Sequence, residues 1–410
     1  MKKQNHSTFS SDDSRTIITN IIAKTRRVSK YRAHFIIHIL ALFLLIRGRR
    51  NFTNAARYGF HREQTYRRHF AERFDWLSFN AELIQTHCGE EKIVVFDPSY
   101  LPKSRKKTDH VGYFWSGVLG KAVRGLEIGG LGVVDIHAHT AFSLEAIQTP
   151  STDELKAKGL TLLDHYAQVI VERKDPLERL SKYLVVDGYF GKKPFVDTVL
   201  NQTSLHIIGK LRKDASLKYL YSGEQKKQGR PKTYNGSVDF KNLREDDWMV
   251  CHEDEHVRVS EAIVYSKGLR RTIKVGLVQE MKDETPTGNH RLLFSTDTEI
   301  AGTKIFEYYT ARFQIEFLFR DAKQHAGLTH CEARSEAKIH FHTNASLTAV
   351  NVAKVAHRDP DQPFSLHDVG MAYFNEFYAQ LFFSRFEIDP NMLKNTSAYQ
   401  DMLQFGVMSG

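Results

Sequence analysis

The 410-residue sequence predicts an α/β fold interrupted by a β-rich insertion and preceded by a basic helical region. Three observations carry that expectation. Two short apolar runs, "KIVVFDPSY" from Lys92 and "YLVVDGYF" from Tyr183, read as buried strands, each closed by an aspartate. Amphipathic helical patterns lie between and after them. From His206 to about Gln279 the pattern is β, while both ends of the chain read as helices.

In chain order, residues 1–30 are polar and Ser/Thr-rich, and poor order is expected there. A long apolar helix follows at about Tyr31–Ile46. Its run "FIIHILALFLLI", Phe35–Ile46, is too short to span a bilayer. "RGRRNF" comes next, which is no signal-peptide cleavage site, so a cytoplasmic location is expected. "NFTNAARYG" and "HREQTYRRHFAERFDWL" are two short helical patterns split at Gly59. They have the form of a helix-turn-helix with Arg62, Arg67, Arg68 and Arg73 along the second helix. A basic three-helix bundle that reads no bases is the plainer alternative. Residues 1–80 hold 16 Lys/Arg against 5 Asp/Glu, and the remainder 42 against 43. An excess so confined points to a polyanion, nucleic acid ahead of membrane. Cys88, Cys251 and Cys331 form no CxxC, which argues against a disulfide framework and a thiolate zinc site.

Beyond the first apolar run, "LEIGGLGVVDIHAHTAFSLEAIQT" reads as two strands around a turn near His137–Thr140. An amphipathic helix is expected at about Thr152–Glu172, and "KKPFVDTVL" opens another after Asp187. The β-patterned stretch contains a basic loop, "SGEQKKQGRPKTYNG". "HRLLFSTDTEI" is one more strand, feeding "EYYTARFQIEFLFRDAKQ", Glu307–Gln324, as a single helix. The tail reads as helices broken at "DPDQP" and "EIDPN".

That last helix is apolar on most sides, with Phe306, Phe313, Ile315, Phe317, Leu318 and Phe319, so it belongs in a core. Yet Tyr309, Arg312, Glu316 and Lys323 fall on one stripe roughly 60° wide. The plain reading is a solvated Arg312–Glu316 pair worth about 0.2–0.5 kcal/mol. The sharper one is a polar seam facing a cleft. Functional groups gather at the carboxyl ends of strands in open sheets, so Asp97, Asp187 and Glu316 are expected to converge. Three clustered carboxylates repel one another, and a hard divalent cation is the usual compensation: Mg²⁺, or Mn²⁺ in its place, with two ions suiting phosphoryl transfer.

The spacing Tyr309-x2-Arg312-x3-Glu316-x6-Lys323, within Leu292–Leu328, resembles the tyrosine–arginine–glutamate–lysine signature of bacterial insertion-sequence transposases with a DDE active site. "VVFDPSYLPKS" and "LVVDGYFGKKPFV" are similar to that family's two catalytic-aspartate segments, in the same order. Phe313 departs from the tryptophan many relatives carry. The resemblance implies a ribonuclease-H-like core, and Asp97, Asp187 and Glu316 as catalytic metal ligands. It also implies Tyr309, Arg312 and Lys323 as contacts to DNA phosphates. The expected reaction is cleavage at element ends followed by 3′-OH strand transfer into target DNA, with terminal inverted repeats as the first substrate and a homodimer in the synaptic complex.

The domain plan expected is 1–80 for DNA binding, 90–205 and 289–335 for the catalytic core, 206–288 for the insertion, and 336–410 as a helical region. Lys192 and Lys193, at a helix start after Asp187, are further candidate DNA contacts. The basic loop reads equally as a DNA-backbone or minor-groove contact and as a mobile surface loop, and Trp248, in "DDWMV", equally as a packed strand residue and, as in relatives, as a ring against an unpaired base. Asp135, the pair His137 and His139, and the pair His340 and His342 have weaker patterns and are read as structural. A nuclease without strand transfer and a catalytically idle DNA-binding descendant are the rival functions.

Overall fold

The computed structural model describes residues 11–25, 28–104, 107–240, 242–283, 285–358, 364–389 and 392–408. The expectation for residues 1–10, the "DPDQP" breaker and the end of "EIDPN" lie outside these.

Five helices come first: α1 (Ser11–Lys24), α2 (Lys30–Leu45), α3 (Phe52–Tyr58), α4 (Glu63–His69) and α5 (Trp76–His87). The presence of α1 corrects the expectation of poor order. Ile18, Ile21 and Ile22 recur at helical spacing and are buried. These helices do not stand apart from the body. Phe35 and Trp76 pack on Phe341, and Ser14 is hydrogen-bonded to Tyr373, so one hydrophobic core runs through both ends of the chain.

Strands β1 (Lys92–Pro102), β2 (Gly112–Ser116), β3 (Lys121–Asp135) and β4 (Thr140–Gln148) follow, then α6 (Thr152–Ala157), α7 (Leu162–Val171) and α8 (Lys174–Leu180). The single helix expected over 152–172 is therefore two. Next come β5 (Tyr183–Val185), a 3₁₀ turn at Gly188–Phe190, α9 (Lys193–Gln202) and β6 (His206–Leu211). The β region continues through β7 (Leu217–Leu220), β8 (Tyr234–Ser237), β9 (Met249–Glu253), β10 (Val257–Ser266), β11 (Arg271–Lys282) and β12 (Thr285–Ser295). Helices α10 (Gly302–Ala311), α11 (Gln314–His325), α12 (Glu336–Ala356), α13 (Leu366–Arg385) and α14 (Ser397–Leu403) complete the described chain.

All twelve strands join one mixed sheet, in the order β2-β3-β1-β5-β6-β12-β11-β10-β7-β8, with β4 on β3 and β9 on β10. Only the β1–β5 and β5–β6 pairings are parallel. The expected insertion boundary at 206 cuts off β6, which instead continues the parallel sheet. Pairing with β12 then carries the sheet unbroken into the later strands. Successive residues of β1 face opposite sides. Phe96 packs on Tyr166 of α7 and on Phe190, whereas the α11 side receives Asp97.

Helix α12 clasps β4 through buried amides. Asn344 both accepts from the N–H and donates to the C=O of Ala146, and Asn351 does the same at Ser143. The amides imitate a neighbouring strand, so these backbone groups of β4 are satisfied without one.

Candidate active site

Register places the two aspartates. Val95 of β1 is paired in parallel with Val185 of β5, and Asp97 and Asp187 each lie two residues further on. Both therefore stand at the same level where the parallel pairing ends. The first strand itself does not end there, contrary to expectation: β1 runs on to Pro102 against β3. Pro98 is tolerated because β5 has stopped and the strand then has one neighbour fewer. On the other strand Asp187 caps the 3₁₀ turn, its carboxylate accepting the Tyr189 N–H at 2.8 Å.

The glutamate arrives on the helix packed over that face of the sheet. The expected single helix is broken. Helix α10 ends at Ala311, and α11 begins at Gln314 after a tight turn in which the Ile315 and Glu316 N–H groups bond three residues back, to Arg312 and Phe313. No Gly or Pro announces that break, and it leaves Phe313 on the surface, 48% exposed. Helix α10 is anchored at both ends of its first turns. Glu261 accepts the Gly302 N–H while paired with Lys274, and Glu91 accepts from Lys304 at 2.6 Å and Tyr308 at 2.8 Å.

Helix α11 sits close over β3 because β3 has no side chain at Gly130, the register partner of Asp97. A Cβ at Gly130 would stand 2.2 Å from the Phe319 ring. These glycines were not singled out in the sequence. The signal was there, in "GGLG" within an otherwise apolar strand.

The polar stripe meets the aspartates as follows. Arg312 is buried and bridges two carboxylates, Nη1 lying 3.4 Å from Asp97 Oδ1 and Nη2 3.5 Å from Glu316 Oε1. Its Nε is buried with no hydrogen-bond partner among the described residues. The guanidinium also lies 5.7 Å from the Tyr309 ring centroid. Lys323 donates to Ser99 Oγ at 2.9 Å, and Ser99 shares a face of β1 with Asp97. Ser99 was missed in the sequence, although the period-2 alternation from Asp97 points to it.

Electrostatics tie these groups together. Burial pushes the Asp97 carboxyl up to about 7. Arg312 opposes the rise, while Glu316 and Asp187 reinforce it. Burial lowers the Lys323 ammonium, against the pull of Asp97. Burial also raises the Tyr309 hydroxyl, with Arg312 opposing. Asp97 thus feels both other carboxylates, and Arg312 bridges it to Glu316. Hard oxygen donors of this kind fit a divalent cation in chemistry. Among the described residues, no three or more His, Cys, Asp or Glu are grouped closely enough to hold an ion in this arrangement.

Other expected contacts fall outside the cluster. Lys192 lies over the Tyr189 ring at 4.1 Å, beside Asp187. Lys193 is paired with Asp197, which also binds Arg271. Trp248 takes the packed-strand alternative. It is buried at 8% exposure and donates its indole N–H to Tyr219, because the later strands close a core around it, so in this structure it packs rather than presents a face to a base. Arg62, the residue just before α4, and Arg67 and Arg68 on it are exposed, and Arg67 also pairs with Glu63 and lies over Phe52. Asp135 accepts from the Gly89 and Ala138 N–H groups, His340 bonds Glu145 and His342 bonds the Gly327 carbonyl. Among the described residues no helix is long and apolar enough to cross a membrane.

The mixed sheet thus places Asp97 and Asp187 where its parallel pairing ends, and Arg312 ties Asp97 to Glu316. The family model of the transposase DDE domain matches residues 137–352, more than half of the chain. The chain belongs to that family. The matched stretch includes Asp187 and Glu316 and begins after Asp97. No curated protein matches the chain significantly.

Proposed function

We propose that this protein is an insertion-sequence transposase of the tyrosine–arginine–glutamate–lysine type, with a ribonuclease-H-like core. It cleaves DNA at the element's terminal repeats and joins the freed 3′-OH to target DNA. The observation that supports the reading most is Arg312 bridging Asp97 and Glu316, with Asp187 leaving the parallel pairing at the level of Asp97. These three carboxylates would hold Mg²⁺ or Mn²⁺, most simply as two ions. A metal held there would supply Lewis-acid activation.

The chain's own residues do the rest. Arg312 has a guanidinium fork with one orphaned N–H, suited to a bidentate grip on a phosphate. Lys323 adds a point charge beside it, and Tyr309 lines the same approach. Lys192 extends the basic rim past Asp187. The α3–α4 pair, with Arg62 and Arg68 exposed, is the proposed contact to end DNA within residues 1–80. Two ends must be held at once, which calls for a second copy of the chain.

The test is incubation of the full chain with Mg²⁺, labelled duplex from its own flanking repeats, and a plasmid target. Nicked ends plus joined plasmid products support the proposal. Nicking without joining would identify a nuclease, and neither product would identify an idle DNA-binding descendant.

A further inference from the structure

The loop between β7 and β8 has no part in the chemistry above, yet it is built for a polyanion. From Tyr221 to Tyr234 it carries Lys226, Lys227, Arg230 and Lys232 against Glu224 as its one carboxylate. Its base is fixed. The Tyr221 N–H bonds the Thr233 carbonyl at 3.0 Å. Gln225 grips Lys232 twice, accepting its N–H at 2.8 Å and donating to its carbonyl at 2.9 Å. Lys232 in turn lies over the Tyr221 ring at 4.4 Å. That clamp closes residues 226–231 into a protruding tip whose side chains are all exposed.

At the tip, Gly229 holds a φ of +98°, a conformation that side-chain-bearing residues rarely adopt, and a Cβ there would have open space around it. Pro231 restricts the backbone on the other side. Arg230 is thereby presented on a narrow turn between a glycine and a proline, with no bulky neighbour on either flank. Among the described residues no ion pair involves Lys226, Lys227 or Arg230.

We propose that this tip is a second DNA-reading element, which inserts Arg230 into the minor groove of A·T-rich duplex while Lys226 and Lys227 hold the flanking phosphates. A·T-rich tracts narrow the minor groove and deepen its negative potential, which attracts an inserted arginine. A slim loop with one central guanidinium fits that groove, whereas a broad basic face would only track the backbone. The inference rests on the reading of the chain as a transposase that acts on duplex DNA.

The test measures binding of the full chain by fluorescence anisotropy to two duplexes of equal length, one with an A·T tract and one all G·C. Wild type should prefer the A·T duplex. Arg230→Ala should weaken A·T binding by about tenfold and G·C binding by no more than about twofold. Arg230→Lys keeps the charge but loses the planar fork, and should erase the preference in the same way. Lys226→Ala and Lys227→Ala should weaken both duplexes alike and each lower the salt slope by about 1. Equal losses on the two duplexes for Arg230→Ala, full retention of preference by Arg230→Lys, or no preference in wild type would overturn the minor-groove role while leaving the transposase reading intact. Failure of wild type to bind either duplex would overturn both.

Discussion

Asp97 and Asp187 leave the β1–β5 pairing at the same level, because Val95 is paired with Val185 and each aspartate lies two residues beyond its valine. The parallel register thus fixes their relation before any side-chain contact is made. Glu316 is linked to Asp97 through Arg312 and rides on α11, which lies close to the sheet where Gly130 has no side chain.

Gly130→Ala should therefore move the helix that carries Glu316. Its methyl would collide with Phe319, and overpacking of this kind costs about 1–3 kcal/mol. The expected result is a lower melting temperature together with weaker DNA cleavage. Adding Phe319→Leu should recover part of both, as followed by thermal melts and a cleavage assay on the double variant.

The arginines of α4 should separate into two kinds. Arg62→Ala and Arg68→Ala in the full chain should weaken DNA binding and flatten its dependence on salt, since each removes a charge able to displace a counterion. Arg67 is already paired with Glu63 and lies over Phe52. Arg67→Ala should affect thermal stability more than DNA affinity. Equal salt slopes for all four proteins, wild type included, would remove α4 from the DNA interface. An isolated 1–80 fragment is a poor vehicle for this test, because α1, α2 and α5 share their core with α12 and α13.

Stability should fall as the solution is acidified. Burial holds His38, His342 and His357 each down to about 4. The unfolded chain takes up protons below about pH 6.5, while the folded chain stays neutral at these rings. The unfolded state then binds more protons, so stability is full above that pH and is lost progressively toward pH 4. Fully buried His342 alone accounts for about 3 kcal/mol across the window. His342→Gln keeps a donor for the Gly327 carbonyl but does not titrate. Its urea midpoint should change less between neutral pH and about pH 4.5 than that of wild type.

The residues of the candidate site were readable in the sequence because their signals are local. An aspartate closing an apolar run and a polar stripe on an apolar helix need only a few neighbours to be seen. What escaped depends on distant partners. The turn at Arg312–Phe313 has no Gly or Pro to announce it. Helix α1 has too little apolar surface to declare itself without α12. The β region could be recognised as β, but its pairing through β12 into β6 joins residues about eighty positions apart, which no local pattern encodes.

The central claim is that Asp97, Asp187 and Glu316 act as one carboxylate site, and Mg²⁺-dependent cleavage of labelled end DNA by Asp97→Asn, Asp187→Asn and Glu316→Gln tests it most directly. Each substitution keeps the side chain's shape and removes its charge. Each variant should bind the DNA close to normally and cut it about a thousandfold more slowly, or worse. A variant that binds and cuts at the wild-type rate would take its residue out of the site and contradict the account.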